Sequence, residues 1–77
     1  MAVDRLSELI TRKPETHAGQ PYVAGTDILV VEVLDLLAAG VFPQEIVTQK
    51  HFPQLNLEQV YNCIAFASQA LKNINWG

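Results

Sequence analysis

Cysteine is almost absent from this 77-residue sequence. Cys63 stands alone, which excludes an internal disulfide and fits a reducing compartment. Charge is scarce as well: 17% of the residues are Asp, Glu, Lys or Arg, against about 25% in an average chain. Cations are the scarcer sign. Arg5, Arg12, Lys13, Lys50 and Lys72 face eight acids, for a net charge of -3. Arg12-Lys13 is the only adjacent basic pair. The chain therefore lacks the basic footprint with which nucleic-acid binders neutralise phosphate. That counts against strong DNA binding by one chain, although a dimer would double each basic patch. No apolar run approaches the roughly 20 residues needed to cross a bilayer. The opening MAVDRLSELI has no cationic segment followed by an apolar one, so neither export nor membrane insertion is expected, and a cytoplasmic location is.

Reactive constellations are missing too. His17, His51 and Cys63 show no C-x-x-C or H-x-x-x-H spacing, so no metal site is expected. Cys63 falls on an apolar helical stripe with no base beside it in sequence, which reads as a buried, inert thiol. Glu32 and Asp35 stand three apart and read as a solvated helix edge rather than an acid-base pair. Gly19-x-Pro21 and Gly25-Thr26 lack the G-x-x-x-x-G-K-S/T pattern, and read as turn glycines rather than a phosphate cradle. No catalytic residue, cofactor or metal is expected, and no enzyme.

Apolar side chains are what the sequence has in excess, at 49%. A domain this short buries only about 60% of the surface its unfolded chain exposes, and small domains lean on disulfides, metals or partner subunits. With the first two excluded, the excess points to a second subunit.

One domain spans 1–77. Residues 1–9 read as a short helical turn or as an arm packing on another chain. Residues 10–27 hold Pro14, Gly19, Pro21 and Gly25, which exclude a long helix. Ile10-Thr11-Arg12 and Pro21-Tyr22-Val23 can pair as a β-hairpin across Pro14 to Gln20. A three-helix region covers 28–72. Its first helix is predicted over 28–39, capped by Thr26 or Asp27 and stopped by Gly40, although Ile28–Val33 also has strand character. Its second helix runs from Pro43 to about 50. The third spans 57–72, with Asn56 as N-cap, Gln59 at the reciprocal position, and Leu55 with Val60 as a hydrophobic staple. Leu57, Val60, Tyr61, Ile64, Ala67 and Leu71 form its expected main stripe, beside a second of Cys63, Phe66 and Ala70. Residues 73–77 form a tail in which Trp76 can dock.

The segment from Ile10 to about Lys72 resembles the small bacterial domains grouped as domain of unknown function family 433. The resemblance rests on Ile10, Pro14, Gly19-x-Pro21, Gly25-Thr26-Asp27-Ile28, Leu34 to Gly40, Pro43-Gln44-Glu45-Ile46 and Pro53-x-Leu55. It implies a mainly α fold, a homeodomain-like three-helix bundle of helix-turn-helix type behind a short N-terminal β-hairpin. It also implies an antitoxin-like role beside a PIN-type ribonuclease toxin, with operator DNA as a further ligand. Three positions depart from the family pattern. Asp27 replaces an arginine, Lys13 replaces an acid, and Phe42 replaces a serine cap. The first removes a phosphate or carboxylate contact and the last adds apolar surface.

These observations predict a non-enzymatic, homodimeric, antitoxin-like protein that binds a partner protein, with DNA secondary. A protein-interaction module without DNA binding is the alternative. In a helix-turn-helix, the first exposed residues of the last helix read bases. Asn56, Gln59, Asn62 and the nearby Lys50 are the candidates for nucleic-acid contact. Leu29, Leu36, Phe42 and Phe66 are the candidates for the dimer or partner interface.

Overall fold

A computed structural model describes residues 9–74. The turn residues of the N-terminal segment close a two-stranded antiparallel hairpin. Strand β1 (Ile10–Thr11) pairs with β2 (Tyr22–Val23), Ile10 opposite Val23 and Thr11 opposite Tyr22. Arg12 Nε–H donates to the Gly19 carbonyl at 2.8 Å and ties off the connecting loop. That loop contains a 3-10 turn at His17–Gly19. His17, Ala18 and Gly19 there take φ of 54°, 56° and 81° in succession. Left-handed backbone costs an L-residue roughly 1–2 kcal/mol and glycine almost nothing. The exposed Ala18 gains nothing from packing in return. Ala18→Gly is expected to stabilise the chain by about 0.5–1 kcal/mol, after the extra freedom glycine has when unfolded. A lower thermal midpoint for that variant would contradict the left-handed assignment.

A second turn follows β2. Thr26 N–H donates to the Val23 carbonyl at 3.0 Å, and Gly25, third in the turn, has φ 82°. The Thr26 hydroxyl donates to the same carbonyl at 2.9 Å and accepts from Ile28 N–H at 3.0 Å. Ile28 and Leu29 then run extended beside β2. Val23 N–H donates to Ile28 O at 2.9 Å, Val30 N–H donates to Pro21 O at 3.0 Å, and Tyr22 bridges to Leu29. The expected helix over 28–39 is thereby corrected to α1 (Val30–Ala38), with Leu29 as N-cap. Thr26 cannot cap it because its hydroxyl is spent in the turn. Glu32 Oε1 instead accepts from Leu29 N–H at 2.8 Å, half of a capping box. At the other end Gly40 takes φ 94°. Val41 N–H reaches Leu36 O and Gly40 N–H reaches Leu37 O, both at 3.0 Å. These two bonds make a complete Schellman stop.

Helix α2 (Pro43–Ile46) is one turn long, shorter than the expected 43–50. Thr48 ends it: its hydroxyl donates to the Glu45 carbonyl at 2.6 Å and its N–H to the same oxygen at 3.1 Å. Threonine offers the backbone this alternative to further helix. Helix α3 (Leu57–Lys72) starts where its signals place it. Gln59 N–H donates to Asn56 Oδ1 at 2.9 Å, and Asn56 N–H to Gln59 Oε1 at 2.8 Å. Leu55 and Val60, the staple pair, are both buried.

The core gathers Ile10, Val23, Ile28, Val30, Val33, Ile46, Leu55, Val60 and Cys63. Helix α3 packs on α1, on α2 and on β1, and α1 meets α2. The described residues thus form a mainly helical fold, three α-helices with a short two-stranded hairpin before them. The expectations for residues 1–8 and for Trp76 lie outside the described residues. No described helix is long and apolar enough to cross a membrane.

Candidate interaction surface

The Leu55–Val60 staple holds the start of α3 on the core. Val60 lies at one edge of the inward face, which extends around the helix through Cys63 and Phe66 to Asn62: Asn62 and Cys63 are buried and Phe66 packs on the core. The inward face takes Val60 from the expected main stripe and Cys63 and Phe66 from the second, while Ala70 of the second is exposed. Leu57, Tyr61, Ile64 and Leu71 of the expected main stripe are exposed instead, Tyr61 by 48% and Leu71 by 53%. At 100° per residue the difference is a rotation of about one position.

This phase rearranges the candidate nucleic-acid residues. Asn62 was expected among the exposed positions, but it is 1% exposed. Its Nδ2–H donates to the Glu58 carbonyl at 2.7 Å, while its buried Oδ1 has no partner. Asn62 cannot reach a base edge. Asn56 and Gln59 sit at the start of α3, with their side-chain carbonyls already engaged in the reciprocal cap. Lys50 is exposed in the connection before α3 and lies 3.8 Å from Glu45 Oε2, an exposed pair of the kind worth about 0–1 kcal/mol. Glu58, in the first turn of α3, is exposed and anionic.

The interface candidates divide. Phe42 is 72% exposed. It is the N-cap of α2 and has no side-chain hydrogen bond to offer there. Leu36 and Phe66 are partly buried and pack on their own core, and Leu29 is partly buried beside β2. Most of the exposed apolar surface lies elsewhere, on Leu57, Tyr61, Ile64, Leu71, Val31 and Ile74. No local signal marks it in the sequence, because Leu57 and Ile64 lie three and four positions from Val60, on the helix side that periodicity assigns to the core. A groove of about 340 Å³ opens between α1 and α3, walled by Val30, Val31, Leu34, Phe66, Ala70 and Leu71. Its lining is almost wholly apolar, so it can take hydrocarbon side chains but offers few groups to orient a polar substrate.

The remaining reactive side chains are isolated. Burial pushes the Cys63 thiol up from 9.0 to about 11. The unfolded chain then loses this proton first as pH rises, so the stability present below pH 9 declines toward pH 11. Alkylation of Cys63 by iodoacetamide at neutral pH is expected to be slow in the folded chain and fast after denaturation. Rapid labelling of the native protein would contradict a buried thiol. His17 is half-buried, its ring edge-on to Tyr22 at 4.7 Å and its Nε2 3.6 Å from the exposed Asp27 carboxylate. Asp27, which stands where the family pattern has arginine, therefore faces a histidine across the hairpin loop. Among the described residues no group of three or more His, Cys, Asp or Glu side chains converges as metal ligands would.

Comparison with curated proteins and with solved structures yields no significant match. A family model described as "Protein of unknown function (DUF433)" matches residues 10–67. That interval runs from the first strand of the hairpin, through both turns and α1 and α2, to the middle of α3. Covering most of the chain and every element of its fold, the match shows that this protein belongs to the DUF433 family.

Proposed function

We propose that the chain is a non-enzymatic, antitoxin-like interaction protein that acts as a homodimer and binds a partner protein. A PIN-type ribonuclease toxin is the partner class that the family resemblance suggests. The single observation behind this reading is the apolar outer face of α3, with Leu57, Tyr61, Ile64 and Leu71 exposed on one helix. A contiguous apolar patch on a small domain is characteristic of a protein contact surface. The succession α2, connection, α3 suits a homeodomain-like arrangement in which α3 takes the place of the second, recognition helix.

Co-expression with a PIN-type nuclease from the same locus tests the antitoxin role. Co-elution of the two chains and relief of growth arrest are the expected results. Separate elution with undiminished toxicity would contradict it.

Operator DNA is the second reading, favoured by Lys50, Asn56 and Gln59 lying at and just before the start of α3. With Asn62 in the core, base contact falls to the amide NH2 groups of Asn56 and Gln59. A gel shift with upstream DNA is expected to weaken steeply with salt. No shift at micromolar dimer would leave the protein-only module as the function.

A further inference from the structure

The exposed residues of α3 are not scattered. Leu57, Tyr61, Ile64, Ser68 and Leu71 succeed one another at spacings of four, three, four and three, a heptad seam facing outward. The seam runs about 21 Å along the helix. Ser68 fills its one polar seat, and the small residues Ala65, Ala67 and Ser68 let another backbone come close. Isolated helices do not keep such a seam in water, whereas paired helices bury it.

The charges beside the seam indicate what covers it. Glu58 stands in the first turn of α3 and Lys72 in the last. They are two heptads apart and therefore lie on the same flank. A twofold interface uses one patch twice, so the patch must complement itself. This patch does so in one orientation only. With two α3 helices antiparallel and the axis beside Ile64, Leu57 meets the partner's Leu71 and Ile64 meets the partner's Ile64. Glu58 then falls beside the partner's Lys72, and Lys72 beside the partner's Glu58. The opposed macrodipoles favour the same arrangement. A parallel pair would bring like charges together at both ends and align the dipoles.

We propose that the occupant of this face is a second copy of the chain, docked antiparallel along α3 about a twofold axis at Ile64. The proposal deepens the homodimer reading above and rests on it, but it can fail while that reading stands. It moves the subunit contact from Leu29, Leu36 and Phe66, which are partly buried within one chain, to the outward seam of α3. The groove between α1 and α3 shares Ala67 and Leu71 with this face, so the contact surface continues toward Val31.

Sedimentation equilibrium on the full chain and four variants tests it. The wild type is expected to sediment as a dimer. Ile64→Asp places two carboxylates across the axis and is expected to give a folded monomer, with helical circular dichroism retained because Ile64 is exposed in the single chain. Glu58→Lys is expected to weaken the dimer roughly tenfold through loss of two cross-chain pairs. The exchanged variant Glu58→Lys with Lys72→Glu is expected to recover it. A wild-type monomer would overturn both the proposal and the homodimer reading. A dimer that survives Ile64→Asp, or that dissociates only with Phe42→Asp, would overturn the α3 interface and keep the homodimer. Weakening by Glu58→Lys without recovery on exchange would overturn the antiparallel orientation, and these surface changes serve even if Ile64→Asp unfolds.

Discussion

Replacing Asn62 by aspartate is expected to destabilise the chain by about 3–5 kcal/mol, the usual cost of an unpaired buried charge. Asn62 is 1% exposed, and its one hydrogen bond is a donation from Nδ2–H to the Glu58 carbonyl at 2.7 Å. An aspartate there has no proton to donate when ionised and sets a negative charge against that carbonyl. No described donor faces the other oxygen, since Oδ1 already lacks a partner. The effect has a counterpart of opposite sign. Asn62→Leu removes the orphaned acceptor and fills the same space with carbon. The Glu58 carbonyl keeps its backbone partner in the helix. That variant is expected to be neutral or more stable, because the desolvation cost of the orphaned oxygen disappears. Urea denaturation of both variants checks the pair of effects. An aspartate variant as stable as the wild type would place Asn62 at the surface, where base reading would again be open to it.

Shortening Ile46 to alanine is expected to cost about 3–4 kcal/mol. Ile46 is fully buried and is the only core residue that α2 contributes. The loss combines the transfer of three carbons with the cavity left behind. A helix of one turn has little stability of its own, so α2 depends on this single side chain, together with the Pro43 start and the bond from Phe52 N–H to Ile46 O at 2.8 Å. A chain of this length has a total stability of about 4–12 kcal/mol. The variant is therefore expected to lose much of it, with a thermal midpoint lower by about 15–20 °C. A loss below about 1 kcal/mol would mean that α2 is not anchored to the core.

Local chemistry carried much of the fold into view from sequence alone. The reciprocal Asn56–Gln59 cap, the Leu55–Val60 staple, the Gly40 stop and the pairing of Ile10-Thr11 with Tyr22-Val23 each depend on residues near one another, and each forms. Three features were not legible, for separate reasons. The start of α1 was misplaced because Thr26 is a good cap that the preceding turn consumes, leaving Ile28 and Leu29 to pair with β2. The end of α2 was misplaced because Thr48 folds its hydroxyl back on Glu45. The face of α3 was misread because hydrophobicity alone weighs Leu57, Tyr61 and Ile64 above Asn62. The structure inverts that order, burying the amide and exposing the three apolar side chains.

That inversion also decides what the candidate site can be. The exposed polar candidates on α3 shrink to the capping pair, while an apolar seam appears on its outer side. Much of the exposed apolar excess is concentrated on one helix, and α3 both completes the core of its own chain and exposes Leu57, Tyr61, Ile64 and Leu71 on its outer side.

The most direct test is a concentration series of 15N-correlated NMR spectra on the unmodified chain. Chemical-shift changes on dilution are predicted to cluster on Leu57, Tyr61, Ile64, Ser68 and Leu71, with Val33, Ile46 and Cys63 unmoved. Spectra that do not change from micromolar to millimolar chain at monomer-like relaxation rates, or changes centred on Phe42 with α3 silent, would contradict the account.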